Sequence, residues 1–185
     1  MTTKVQSSHF LLELAKRVSS AYLLVGAIVV VYLYMMQFVD HALSWVPYLV
    51  VFFAATKTLY FTFFTFKKLN RSVEECHSFT QLLWIFGTLV FLIIFSFAAD
   101  YACLSFANAS SFKEYSLATN SSQFEKLFEY FYFSIVTFAS VGYGDIVPTT
   151  VFSKVLVIIE IGQSFVLIVF GLSNINNIHT LIKQH

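Results

Sequence analysis

The sequence predicts an all-α membrane protein: four transmembrane helices, with a re-entrant half-length helix and loop before the last of them. Three observations carry this. Of 185 residues, 58% are hydrophobic, 19% aromatic and only 11% charged, against about 25% charged in an ordinary soluble domain. Four apolar segments (21–39, 45–66, 82–103 and 151–173) hold at most two charged residues each, over lengths that cross roughly 30 Å of hydrocarbon at 1.5 Å per residue. A shorter aromatic run, Phe128 to Phe138, ends in a glycine-containing loop and Pro148.

The elements follow in chain order. In residues 1–17, Phe10, Leu11, Leu14 and Val18 recur at helical spacing among Lys4, Glu13, Lys16 and Arg17, the pattern of a short amphipathic helix on a membrane surface. No small-residue cleavage site follows it, so it does not read as a signal peptide. The first span, Ala21 to Val39, is uncharged, and Asp40 to Ser44 turns the chain before Trp45, an interfacial aromatic. The second span carries one charge, Lys57, whose long stem is expected to snorkel toward the headgroups. Lys67, Lys68 and Arg71 open a polar linker, and Trp84 reads as a second interface anchor. The third span is uncharged until Asp100, and a serine- and asparagine-rich stretch, 104–123, separates it from the short helix at 124–138. The last span contains Glu160. Gly26 and Gly87 fit close helix packing.

Function classes narrow quickly. No Ser-His-Asp arrangement, His/Cys/Asp/Glu cluster or phosphate-binding glycine loop is present, so the chain does not read as an enzyme and no cofactor is expected. Cys76 and Cys103 have neither metal nor disulfide-framework spacing. The net charge of +1 makes no case for a nucleic-acid partner. Asn108–Ser110 and Asn120–Ser122 match the glycosylation acceptor pattern, but such triplets are frequent in Ser/Asn-rich loops and are read as bare.

The stretch that organises the chain is Thr137-Phe138-Ala139-Ser140-Val141-Gly142-Tyr143-Gly144-Asp145. A dehydrated cation needs oxygen on all sides, and successive backbone carbonyls supply it if the strand points them the same way. That requires alternating left- and right-handed backbone angles, which glycine adopts without steric penalty. This run resembles the selectivity filter of potassium channels, Thr-Val-Gly-Tyr-Gly-Asp, with Ser140 standing where that family has threonine.

The resemblance covers residues 80–185: outer helix 82–103, turret 104–123, pore helix 124–138, filter 140–145 and inner helix 151–173. Residues 1–79 form an amino-terminal segment and helical hairpin with no attached motif. It implies that carbonyls of Ser140, Val141, Gly142 and Tyr143, with the Ser140 hydroxyl, hold potassium as the permeant ion, and that Gly144 allows the outer bend. It further implies filter support from Thr137, Asp145, Tyr132 and Glu160, Tyr132 standing where relatives carry a tryptophan that donates to the aspartate. Glu160, Gly162, Gln163 and Phe165 are similar to the Glu-x-x-Gly-Gln inner helix of small bacterial channels, one residue shorter in spacing. A gating hinge is expected at Gly162, Ser164 or Gly171. One strand per chain implies a homotetramer in lipid, with the pore helix directing the partial negative charge of its carboxyl end at the cavity.

Orientation follows from the basic residues. With the amino terminus cytoplasmic, Lys4, Lys16, Arg17, Lys67, Lys68, Arg71 and Lys183 lie inside, and Lys113, Lys126 and Lys154 outside. This satisfies the positive-inside rule, puts both termini in the cytoplasm of a multi-pass cell-membrane protein, and puts Cys76 and Cys103 on opposite faces. The hairpin has no arginine ladder, so strong voltage sensing is not expected. Residues 174–185 are too few for a ligand-binding domain, leaving such gating to a separate regulatory subunit or ligand. The reading is a passive potassium channel. Its alternatives are a weakly selective cation channel, a potassium transporter subunit, or a non-conducting regulatory or scaffold subunit. For Glu160, about nine residues into its helix, two placements compete: facing the cavity, or packed behind the filter against the pore helix with Thr137 as donor. The second is preferred.

Overall fold

A computed structural model describes residues 23, 25–28, 30–32, 45–66, 79–114 and 123–183. The surface helix read at 1–17, the turn at 40–44, Cys76 in the linker and Asn120 lie outside these residues, as does most of the first apolar segment. What is described of that segment, 25–28 and 30–32, is helical.

Four helices and two short strands follow: α1 (Val46–Phe64), α2 (Phe79–Ala107), a 3-10 turn (Ala109–Ser111), β1 (Phe112–Glu114), α3 (Gln123–Phe138), β2 (Ile146–Pro148) and α4 (Val151–Lys183). Among the described residues, three stretches are long and apolar enough to cross a membrane: Val46–Phe64, Phe86–Ala107 and Val151–Ser173. Helix α3 is different. Its 16 residues reach about 24 Å at 1.5 Å per residue, short of the roughly 30 Å needed.

Helix α1 begins with Pro47 in its first turn, where the missing N–H has no helical acceptor to lose. It buries Val46, Val50, Ala54, Lys57, Phe61 and Phe64, a stripe at three- and four-residue spacing. Tyr48, Phe52, Leu59 and Phe63 face outward, as expected where the solvent is lipid. The stripe packs along α4 and α2, and α2 also packs on α3. The core lies mainly between these helices: Leu89, Leu92, Ile93, Phe97 and Leu104 of α2, with Tyr130 and Phe133 of α3. Phe112 enters from β1, its ring centroid 5.6 Å from Tyr101, 5.2 Å from Tyr130 and 5.7 Å from Phe133.

Strands β1 and β2 pair antiparallel, with Phe112 opposite Pro148, Lys113 opposite Val147 and Glu114 opposite Ile146. This ties the chain leaving α2 to the chain leaving the glycine-containing loop. The Thr149 N–H extends the tie to the Ser111 carbonyl at 3.0 Å, and the Thr149 hydroxyl donates to the Ser110 carbonyl.

One correction concerns Lys57. It does not snorkel: its side chain is fully buried and paired with Asp100. The reason is geometric, since the stripe that α1 turns inward includes position 57 and Asp100 lies on the facing surface of α2.

Gly171 is where α4 and α2 approach closely. A Cβ there would stand 2.5 Å from the Phe86 ring, which itself stacks on Phe170 at 6.1 Å. Gly171→Ala is therefore expected to cost about 1–3 kcal/mol through overpacking, read as a lowered midpoint of thermal unfolding in detergent. Combining it with Phe86→Leu should recover most of that loss.

Candidate functional site

The loop after α3 is built from the helix end outward. The Val141 N–H returns to the Val136 carbonyl at 3.0 Å and the Ser140 N–H to the Thr137 carbonyl at 2.9 Å. This nested pair is a Schellman ending, which requires a left-handed residue just beyond the helix. Ser140 is that residue, with φ 55°. Serine has no branch at Cβ to crowd the backbone in this region. Gly142 and Gly144 follow with φ 61° and 80°. Every second residue is thus left-handed, the alternation that turns successive carbonyls to one side.

The outer face of this strand is open. Gly142 and Gly144 are exposed, and Val141 and Tyr143 retain 54% and 71% of their accessible surface. Behind it, the Asp145 carboxylate accepts the Ile146 N–H at 3.1 Å and is the hydrogen-bond partner of the Tyr132 hydroxyl. That carboxylate pushes the Tyr132 phenol up to about 12, so the phenol keeps its proton, and its capacity to donate, at any physiological pH. Strand β2 starts at the next residue, and its pairing with β1 fixes where the loop ends.

Glu160 of α4 is completely buried. It lies against α3, and its partners differ from the expected one. Ser134 Oγ, one turn before Thr137, lies 2.5 Å from Oε1, and Tyr101 Oη of α2 donates to Oε2 at 2.5 Å. One carboxyl therefore joins three helices. Ser134 Oγ is also 2.9 Å from the Ile94 carbonyl. A hydroxyl has a single proton to donate, so it satisfies one of these two acceptors at a time. Thr137 is buried but is not the donor; the α3 face opposite Glu160 presents the residue three positions earlier.

The remaining positions are spread along α4. Gly162 is exposed, with open space where a Cβ would stand. Ser164 is buried and donates to the Ile161 carbonyl at 2.8 Å, and Gly171 packs on Phe86. Helix α4 is continuous past all three. Gln163 accepts from Thr62 of α1 at 2.9 Å. Sequence reasoning missed Ser134, Tyr101 and the Lys57–Asp100 pair. Only the last had a signal, one opposite charge in each of two apolar spans.

A family model described as "Ion channel" matches residues 78–180, more than half of the chain. The chain belongs to this ion channel family. With its apolar helices, this makes it a membrane protein. It is similar to two-pore potassium channel 4 of Arabidopsis thaliana, 46% identical over 54 residues, which is 29% of this chain and 19% of that protein. It is also similar to potassium channel K2 of Plasmodium berghei, 50% identical over 38 residues, which is 20% of this chain and 3% of that protein. The channel chain thus spans under a fifth of either relative's length. No solved structure matches it.

Two outcomes are expected. Tyr132→Phe keeps the ring and removes the donor to Asp145, so conduction should decay faster during sustained opening; unchanged decay would reduce Tyr132 to packing. Glu160→Gln offers an amide donor to Ser134 and an acceptor to Tyr101, so assembly and thermal stability should stay near wild type. Glu160→Ala strands the Tyr101 hydroxyl, at about 1–3 kcal/mol, while Ser134 keeps the Ile94 carbonyl, and thermal unfolding of the two variants checks the contrast.

Proposed function

We propose that the protein is a potassium-selective channel that conducts K+ passively through a pore formed by four copies. The observation that carries this reading is the left-handed alternation at Ser140, Gly142 and Gly144 in a strand exposed on one side. Carbonyls of Ser140, Val141, Gly142 and Tyr143, with the Ser140 hydroxyl, are oxygen donors without formal charge, suited to a large, weakly hydrated monovalent cation rather than a divalent one. A single strand surrounds nothing. Four related by a rotation axis complete the oxygen cage and cover the exposed Val141 and Tyr143. The two relatives named as potassium channels support the choice of ion.

In this reading α2 is the outer helix, α3 the pore helix and α4 the inner helix. Tyr132, Asp145, Thr137 and Glu160 support the filter from behind. Gly162 and Ser164 lie beyond Glu160 on α4, where a bend of the inner helix would change the width of the pore below the filter. The charge distribution supports both termini in the cytoplasm of a cell-membrane protein.

Purified protein in planar bilayers tests the reading under bi-ionic potassium and sodium conditions. The expected reversal potential reports at least about tenfold preference for potassium, a difference of 1.4 kcal/mol in transfer between the two ions. Equal permeability would instead indicate a weakly selective cation channel, and silence a regulatory or scaffold subunit. Native mass measurement in detergent should give four copies per particle.

A further inference from the structure

The amino-terminal hairpin has no part in the filter, yet the buried lysine of α1 is aimed at α2, a helix that braces it. Lys57 lies where no cation belongs without a partner, completely buried in a membrane-spanning helix. Its ammonium donates to the Asp100 carboxylate and, at 2.9 Å, to the Ser96 carbonyl, and stands 4.4 Å from the centroid of the Phe97 ring. The other Asp100 oxygen accepts from Tyr32 at 2.8 Å. The two sides of the hairpin therefore close on one carboxylate.

The same two turns of α2 are held from the opposite side. Ile94 receives Ser134 of α3, and Tyr101, the residue after Asp100, donates to Glu160 of α4. Residues 94–101 thus have the hairpin on one flank and the brace of the pore helix on the other. Charge points the same way. The buried charged side chains among the described residues are Lys57, Asp100 and Glu160. Lys57 pairs with Asp100, and Glu160 is met by Tyr101, the next residue along α2. Without Lys57, the Asp100 carboxyl would keep only the Tyr32 hydroxyl, in a medium that does not solvate it.

We infer that Lys57 is a positioning residue for conduction: paired with Asp100, it sets the register of residues 94–101 and so holds Tyr101, Glu160 and Ser134 where they brace the pore helix one turn before Thr137. This rests on the potassium-channel reading. It makes the hairpin a built-in support of the filter rather than a separate membrane anchor.

The test is a double-mutant cycle read by single-channel recording in bilayers, with native mass measurement confirming assembly of each variant. Lys57→Met should shorten the open lifetime about three- to tenfold, the scale of coupling between residues in one network. Ser134→Ala should do the same. If Lys57 acts through the brace, the double variant should be no worse than either single variant, whereas a merely structural lysine gives effects that multiply. Multiplying effects, or a wild-type lifetime in an assembled Lys57→Met channel, would overturn the inference. Should Lys57→Met fail to assemble, Lys57→Met combined with Asp100→Leu removes both members of the pair, and replacement of a buried pair by apolar groups is often neutral for stability. Short openings are again expected from it, and wild-type openings would overturn the proposal. Silence of the wild-type protein itself would sink the channel reading, a result distinct from any of these.

Discussion

The carboxyl of Glu160 is the point on which the packing behind the glycine-containing loop depends. It is contributed by α4, receives the hydroxyl of Tyr101 from α2 and contacts the hydroxyl of Ser134 on α3. Hydrocarbon offers no alternative hydrogen-bond partner, so three helices must keep the rotation that brings these groups together. Phenylalanine and leucine surfaces alone would permit neighbouring registers at small cost. A buried acid does not.

The same constraint is met at two further levels of the bundle. Lys57, Asp100 and Tyr32 close one polar contact between the hairpin and α2. Thr62 and Gln163 close another between α1 and α4, leaving the Gln163 Nε2 as the buried side-chain polar atom without a partner among the described residues. These contacts fix α1, α2 and α4 relative to one another, and the aromatic cluster of Tyr101, Phe112, Tyr130 and Phe133 fills the space between them and α3. Polar pairs specify register here, and aromatic rings fill the space between them.

The strand from Ser140 to Asp145 is mounted on this frame at both ends. Its start is set by the Schellman ending of α3, which places Ser140 in the left-handed region. Its end is set by Asp145 with Tyr132, and by the pairing of β2 with β1. Between these fixed points only Val141 to Gly144 remain, with their outer face uncovered. A strand held from behind and open in front suits a role in which oxygen atoms, rather than side chains, meet the ligand.

Much of this was legible in the sequence because it depends on local pattern. The three described spans follow from length and scarcity of charge, the short α3 from the aromatic run Phe128 to Phe138, and the turn at Gly142 and Gly144 from residues that accept a positive φ. The unusual position of Glu160 could be flagged from one acid in an apolar helix. Its partners could not. Whether Ser134 or Thr137 meets Glu160, and whether Lys57 reaches lipid headgroups or Asp100, depends on how one helix is rotated against another. Residues 26 and 43 positions apart along the chain carry no local trace of that rotation. The β1–β2 pair is likewise invisible, since three-residue strands have too little periodicity to read and acquire their hydrogen bonds only when α2 and α3 bring them side by side. Sequence by itself determined which segments are long and apolar enough to cross a membrane and where the backbone can turn left-handed, because those properties belong to neighbouring residues. Only the tertiary structure decided which buried polar groups satisfy one another, because that choice belongs to the packing of whole helices.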